Sequence, residues 1–382
     1  MKKALVITFL ILLSVALISG SAYAVTGVCS NCHTMHYSQN GTRLSDWGTG
    51  GPYGYLLLDG CVGCHSGATG SSTNTHGAPI VLRTSGGAPS GQGGGKTLAG
   101  GDFYWVATGL GATDSKGHNV NGLAGVDAAI GRTPPGWDPN ATPGQLNDGQ
   151  INSGAATWST QLTCAGLYGC HGNHTGATGD AGILGSHHSN TGGTSTQANN
   201  PTSVGGSYRF LSGINGLENS QWNWGETAST HNEYYGVDVN TDYGNKRTIS
   251  YSCAECHGVF HKNPSGTGAS SPWLRHPTDI DLPNGEYQSY NPDGLPAGSG
   301  AVAGNTDYSV EAPVGRTTVP ASSSKDVTPS GNTDDIVLCL SCHRAHGSPE
   351  PDILRWTYSG QIAGSGTVDD GCFTCHTAKN GD

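Results

Sequence analysis

The sequence predicts a mostly irregular chain, with short helices and few short strands, wrapped around something other than its own side chains. Three observations lead there. Glycine takes 62 of 382 positions and apolar residues reach only 34%, too little for a chain of this length to build a core alone. No stretch shows the sustained three-to-four spacing of a long amphipathic helix. All twelve cysteines fall into six pairs, and a histidine follows each pair directly, so short helical turns should recur along the chain.

Taken in order, residues 1–24 read as an export signal. Lys2 and Lys3 precede an apolar run at 4–18, and Ala22-Tyr23-Ala24 fits the cleavage pattern. The run is too short for a membrane span and no other stretch comes near one. Val25 stands where a lipid-anchored chain would have cysteine. Residues 25–382 are therefore expected to form one secreted domain. Strands are expected at 79–83, 103–108, 208–212 and 247–252, and a helix within 335–346. Glycine- and serine-rich stretches at 85–101, 189–207, 264–271 and 294–305 read as surface loops. Losing Lys2 and Lys3 leaves 15 basic residues against 28 acidic, a net −13. That balance argues against nucleic acid and anionic membranes as partners.

Five of the six motifs are Cys-x-x-Cys-His: Cys29/Cys32/His33, Cys61/Cys64/His65, Cys253/Cys256/His257, Cys339/Cys342/His343 and Cys372/Cys375/His376. On one helical turn the two thiols share a face and reach the two vinyl groups on one porphyrin edge. The imidazole on that face reaches the iron. Disulfides or zinc sites would use the cysteines but have no need of a histidine after every pair. The third motif is stretched, Cys164-Ala-Gly-Leu-Tyr-Gly-Cys170-His171, and Gly166 and Gly169 would let its loop bulge while both thioethers form. Six covalently bound haem c groups follow, and they supply the missing core. The fold class becomes a multihaem cytochrome c wrapped around a contiguous chain of six haems, with the eight Trp and fifteen Tyr packing on porphyrin faces.

Ten histidines remain for the second axial positions, with Met35 the one competing thioether. Bis-histidine ligation at every iron is affordable and gives closed, low-potential centres. His36, His174, His261 and His346 lie three or four residues beyond a motif histidine, on the same side of that haem, so each would have to serve a different one. The expected distal set is His36, His76, His118, His261, His276 and His346. For His174, His187, His188 and His231, surface or propionate contacts compete with ligation. Only four residues, Val25 to Val28, precede Cys29 in the mature chain, which puts the first haem at a chain end and favours an iron in the next subunit for His36. Such a head-to-tail contact yields a filament unless its rotation closes.

Several stretches resemble the extracellular multihaem c-type cytochromes that polymerise into conductive nanowires, the OmcS- and OmcE-like family. They are Cys-Ser-Asn-Cys-His-Thr-Met-His at 29–36, Gly-Gly-Asp-Phe at 100–103, Lys-Gly-His-Asn at 116–119, Trp-Leu-Arg-His-Pro at 273–277 and Cys-Leu-Ser-Cys-His-Arg-Ala-His at 339–346. The resemblance implies bis-histidine haems in alternating parallel and T-shaped pairs, little regular structure, and a subunit junction closed by His36 on the fifth haem of a neighbour. The stretched third motif and the extra His187, His188 and His231 depart from the family pattern.

The function expected is electron conduction rather than enzymatic catalysis. Identical subunits, redox proteins and extracellular acceptors are the expected partners, outside the cell or at its surface. A monomeric periplasmic shuttle is the alternative. A multihaem oxyanion reductase fits less well, because it needs an iron with an open position, often marked by lysine in place of the motif histidine.

Overall fold

The computed structural model describes residues 28–376 except 37, 40–41, 44–52, 90–96, 140–155, 176–178, 191–196, 199–200, 239–244, 262–275, 283–289, 291–306, 328–334 and 366–369. The export signal and the loops at 264–271 and 294–305 lie outside the described residues. Within them the chain is mostly coil, with short helices and small mixed sheets. No described helix is long and apolar enough to cross a membrane.

Most of the attachment motifs make their own single helical turns: Cys29–Asn31, Cys61–Cys64, Cys339–Cys342 and Gly371–Thr374. The fourth motif continues a longer helix, Ile249–Ala254, whose N-cap Thr248 accepts from the Tyr251 amide. That helix replaces the strand expected at 247–252: the cap and the turn required by Cys253 and Cys256 outweigh the β propensity of Ile249 and Tyr251. The strand expected at 103–108 is a 3-10 turn, Phe103–Trp105, because the Asp102 side chain accepts from the Tyr104 amide at 2.8 Å. At 208–212 the chain makes a tight turn with Arg209 and Phe210 in the left-handed region. The strand expected at 79–83 is shifted to Leu82–Ser85, parallel to Ser66–Ala68. The segment 335–346 divides into a strand, Asp335–Val337, and the helix Cys339–Cys342.

A six-stranded sheet organises the second half of the chain. Its spatial order is Ile280–Asp281, Asp335–Val337, Val314–Arg316, Glu233–Tyr235, Gly216–Leu217 and Gln197–Ala198. The Val314–Arg316 and Glu233–Tyr235 pair is parallel and the others antiparallel. Alternation sorts the side chains. Ile336 and Tyr234 pack with Tyr208, Ile214, Ile249 and Leu338 on one face. Val337 and Val314 join Leu282, Tyr290, Tyr308 and Val327 in a second cluster. The sheet also holds charge: Arg316 bridges Glu233 and Asp335, all buried, which satisfies groups that would be costly alone. A separate cluster, Leu82, Phe103, Val106, Ala107, Val120 and Leu123, fills the first half.

Candidate haem-binding site

In five motifs the histidine amide closes the turn onto the carbonyl of the first cysteine, His33 to Cys29 and His65 to Cys61 at 2.8 Å, His257 to Cys253 and His376 to Cys372 at 2.9 Å, and His343 to Cys339 at 3.1 Å. This puts both thiols and the imidazole on one face. The stretched third motif folds instead as two parallel strands, Thr163–Ala165 and Gly169–His171. Gly166 has φ +83°, and a Cβ on Gly169 would sit 2.5 Å from the Ala165 backbone, so the bulge needs both glycines. All twelve thiols are free, as attachment to vinyl groups requires.

Five motif imidazoles are oriented by a backbone carbonyl. Nδ1 of His33 donates to Tyr55, His65 to Pro79, His171 to Arg209, His257 to Pro135 and His343 to Asp352, at 2.6–3.2 Å. Each bond fixes the tautomer and leaves Nε2 with its lone pair free for a metal. Burial pushes His65 and His171 down and His257 down to about 4, which keeps these rings neutral and metal-competent.

Five of the six then face a second imidazole. Ring centroids lie 5.9 Å apart for His33 and His188, 6.2 Å for His65 and His187, 6.3 Å for His171 and His346, 6.2 Å for His257 and His118, and 5.8 Å for His376 and His276. Two imidazoles bound to one metal through Nε2, at about 2 Å each, have centroids about 6 Å apart. The Nε2 atoms of His276 and His376 are 3.5 Å apart. The residues therefore fit covalently bound haem c. The facing rings are oriented in the same way: His118 Nδ1 donates to Ala345 O at 2.7 Å and His276 Nδ1 to Pro277 O at 2.8 Å.

His343 faces no imidazole among the described residues. His36 is exposed, with φ +52°, and among the described residues no ring stands against it. His76 is exposed in a turn tied by the Asn74 side chain, 3.0 Å from the His76 amide. His261 lies against Asp279 and His174 against Glu255, each at 3.4 Å. His231 is buried, stacked on Tyr308 at 3.6 Å, with Nδ1 on the Thr227 carbonyl and Nε2 on Glu233, both at 3.1 Å. The seats opposite His33 and His65 are taken by the adjacent pair His188 and His187, which the expected distal set had left out. No local signal in the sequence marks that pair.

The family-like stretches have structural reasons. A Cβ on Gly100 would lie 2.9 Å from the His346 ring, and one on Gly101 would lie 2.0 Å from the Gly347 carbonyl. Asp102 pairs with the buried Arg83, and Phe103 stacks on His346 at 4.7 Å. Gly-Gly-Asp-Phe is thus a cradle for His346.

Thiol contacts place consecutive motifs side by side. Cys32 adds to the burial that pushes Cys64 up to about 11. A hydrogen bond between Cys61 and Cys164 raises the first and lowers the second. Cys170 adds to the burial raising Cys256. A bond between Cys253 and Cys339 raises the former and lowers the latter to about 7. Cys342 adds to the burial that pushes Cys375 up to about 12. The motifs therefore succeed one another in space in their order along the chain.

The family model of the doubled CXXCH motif matches residues 331–381, across the fifth and sixth motifs. The C-type cytochrome OmcS of Geobacter sulfurreducens is 28% identical over 379 residues, covering 86% of this chain and 78% of OmcS. Two solved OmcS structures from that organism, one titled as the outer membrane cytochrome S filament and one as OmcS nanowires, align with TM-score 0.43 at 20% identity. The first covers 93% of this chain and 91% of its own, and the second 94% and 93%.

Proposed function

We propose that this chain, a c-type cytochrome homologous to OmcS, is an extracellular electron conduit that carries six haems and polymerises into a filament. The observation that carries the reading is the pattern of imidazoles. Five motif histidines face a partner in the same chain, while among the described residues His343 faces none and His36 stands exposed near the first motif. A second copy would resolve both, with His36 of one subunit meeting His343 of the next.

In this reading the iron would be held by His33 with His188, His65 with His187, His171 with His346, His257 with His118 and His376 with His276, and His36 would reach across the junction to join His343. Haem iron held by two imidazoles changes oxidation state without opening a position to substrate. The protein's own work is to hold and orient. Backbone carbonyls on Nδ1 hold the rings in place before and after each change of charge. The thiol contacts keep neighbouring motifs close, and the net negative chain is suited to a soluble, exported life. Residues 25–382 are read as one domain, a reading supported by the influence that thiols of successive motifs have on one another's titration.

Electron microscopy of the secreted haem-staining fraction, with intact mass spectrometry of the same material, tests the proposal. Filaments of a chain carrying six haems are expected. A chain bearing one haem or none, or a fraction that is monomeric at every concentration, would sink it.

A further inference from the structure

Three tight turns recur along the chain with the same hydrogen bonds. Gly54–Leu57, Tyr208–Leu211 and Pro351–Leu354 each close with the last amide on the first carbonyl, at 3.1, 2.9 and 3.3 Å. Both central residues of each are left-handed: Tyr55 and Leu56 at φ +57° and +59°, Arg209 and Phe210 at +47° and +59°, Asp352 and Ile353 at +58° each. That is the type I′ geometry, which normally selects glycine, asparagine or aspartate. Of the six only Asp352 is one of these, and Ile353 is β-branched, for which the left-handed region is most adverse.

Each turn is spent on one motif histidine. The carbonyl of the first central residue accepts Nδ1–H: Tyr55 from His33, Arg209 from His171, Asp352 from His343. The carbonyl of the second accepts the amide of the residue after that histidine: Leu56 from Thr34 at 2.7 Å, Phe210 from Gly172 at 2.8 Å, Ile353 from Arg344 at 2.8 Å. The first, third and fifth motifs are gripped in this way. The second and fourth use proline carbonyls instead, Pro79 and Pro135. A fourth left-handed pair, Trp222 and Asn223, takes the Ala99 amide on Trp222, so the turn shape alone does not define the device.

We infer that these three turns are a reiterated two-point clamp that fixes the tautomer and the ring plane of alternate iron-ligating imidazoles. The inference rests on the haem reading above. The left-handed pair turns both of its carbonyls onto one motif, which accounts for strain being kept at residues that are not glycine. With Nδ1–H and the next amide both held, the ring can neither rotate nor change tautomer. Tyr55 and Leu56 are positioning residues that act through their backbone. Both side chains are largely exposed, at 48% and 45%, so their packing does not account for the strained conformation.

The test uses full-length, haem-loaded protein with Leu56→Pro and Ile353→Pro, whose fixed negative φ forbids the turn, beside Leu56→Gly and Ile353→Gly, which permit it. Mass spectrometry counts haems first. A full count in all four variants keeps the haem reading separate from the clamp, and absence of haem from the parent chain would overturn the haem reading itself. Low-temperature electron paramagnetic resonance of Leu56→Pro should shift the largest g value of one low-spin component. Redox titration should show about one-sixth of the absorbance change moving to higher potential. Leu56→Gly should keep the parent spectrum and titration. A proline variant with parent-like spectra and titration, or a glycine variant that shifts as far as its proline counterpart, overturns the clamp. If neither proline variant accumulates, the glycine variants decide: unchanged g values and potentials uphold it, and a shift in either overturns it.

Discussion

The imidazole of His118 donates to the carbonyl of Ala345 at 2.7 Å across 227 residues of sequence. The neighbouring His346 ring faces His171, and His118 itself faces His257. A three-residue segment therefore orients histidines at the third and fourth motifs at once. It is pressed against a glycine pair, since Gly101 has φ +80° and a Cβ there would lie 2.0 Å from the Gly347 carbonyl. Gly101→Ala should lower stability by about 1–3 kcal/mol, from the left-handed penalty and the clash, and should loosen His346. Thermal melts followed in the Soret band should show a drop of several degrees, with a new high-spin fraction. A melt equal to that of the parent would argue against the cradle.

His36→Ala tests the junction. The variant should keep six attached haems, show one iron without its sixth ligand, and remain monomeric. Normal filaments with fully low-spin iron would refute the pairing of His36 with a neighbour's His343.

The ligand set is separable by single substitutions. His187→Ala and His188→Ala should each create one high-spin iron that binds carbon monoxide when reduced. His231→Gln, His261→Gln and His76→Ala should create none, because those side chains lie against Glu233, against Asp279 and in an exposed turn. Carbon monoxide binding by the reduced His261→Gln protein would restore His261 to the ligand set.

These contrasts show where the sequence stopped being legible. Motif histidines are readable because covalent attachment confines the chemistry to five or eight consecutive residues. A facing histidine has no such constraint: His118 and His257, or His276 and His376, meet through the tertiary fold alone. His261 drew attention because it follows a motif closely, yet its Nε2 lies 3.4 Å from Asp279. His187 and His188 drew little because propionate contacts compete for such histidines, although two rings on one backbone can serve two neighbouring sites. The coil-dominated fold was legible from glycine and cysteine content. The strands were not, because caps such as Asp102 and Thr248 and left-handed turns such as Arg209–Phe210 override local β propensity.

Acid should weaken the assembly of histidines. Burial lowers His187 and His257 to about 4 and His346 to about 3. With folded values below the ordinary value of about 6.5, the unfolded chain binds protons that the folded chain does not. Stability is therefore full above about pH 6.5 and falls as pH drops toward about 4. Iron bound at the same nitrogens acts in the same direction. Melting temperature should decline steadily from pH 7 to pH 4, and a flat profile over that range would contradict the assignment.

Relieving a clamp's strain should stabilise the fold. Ile353→Gly removes a left-handed penalty of about 1–2 kcal/mol and adds glycine's unfolded-state freedom of about 0.5–1 kcal/mol. A net gain of up to about 1.5 kcal/mol is expected from chemical denaturation. A loss of more than that would mean the Ile353 side chain matters more than its backbone.

His188 and His187 stand opposite His33 and His65 from neighbouring positions on one backbone. Their α-carbons are tied by a peptide unit about 3.8 Å long, a length that neither heat nor tension alters appreciably. Elsewhere along the row the spacing depends on packing and hydrogen bonds, which yield under load. In the proposed filament, tension along the axis would therefore lengthen the later gaps while the first one holds its calibration, like the gauge block in a stack of springs.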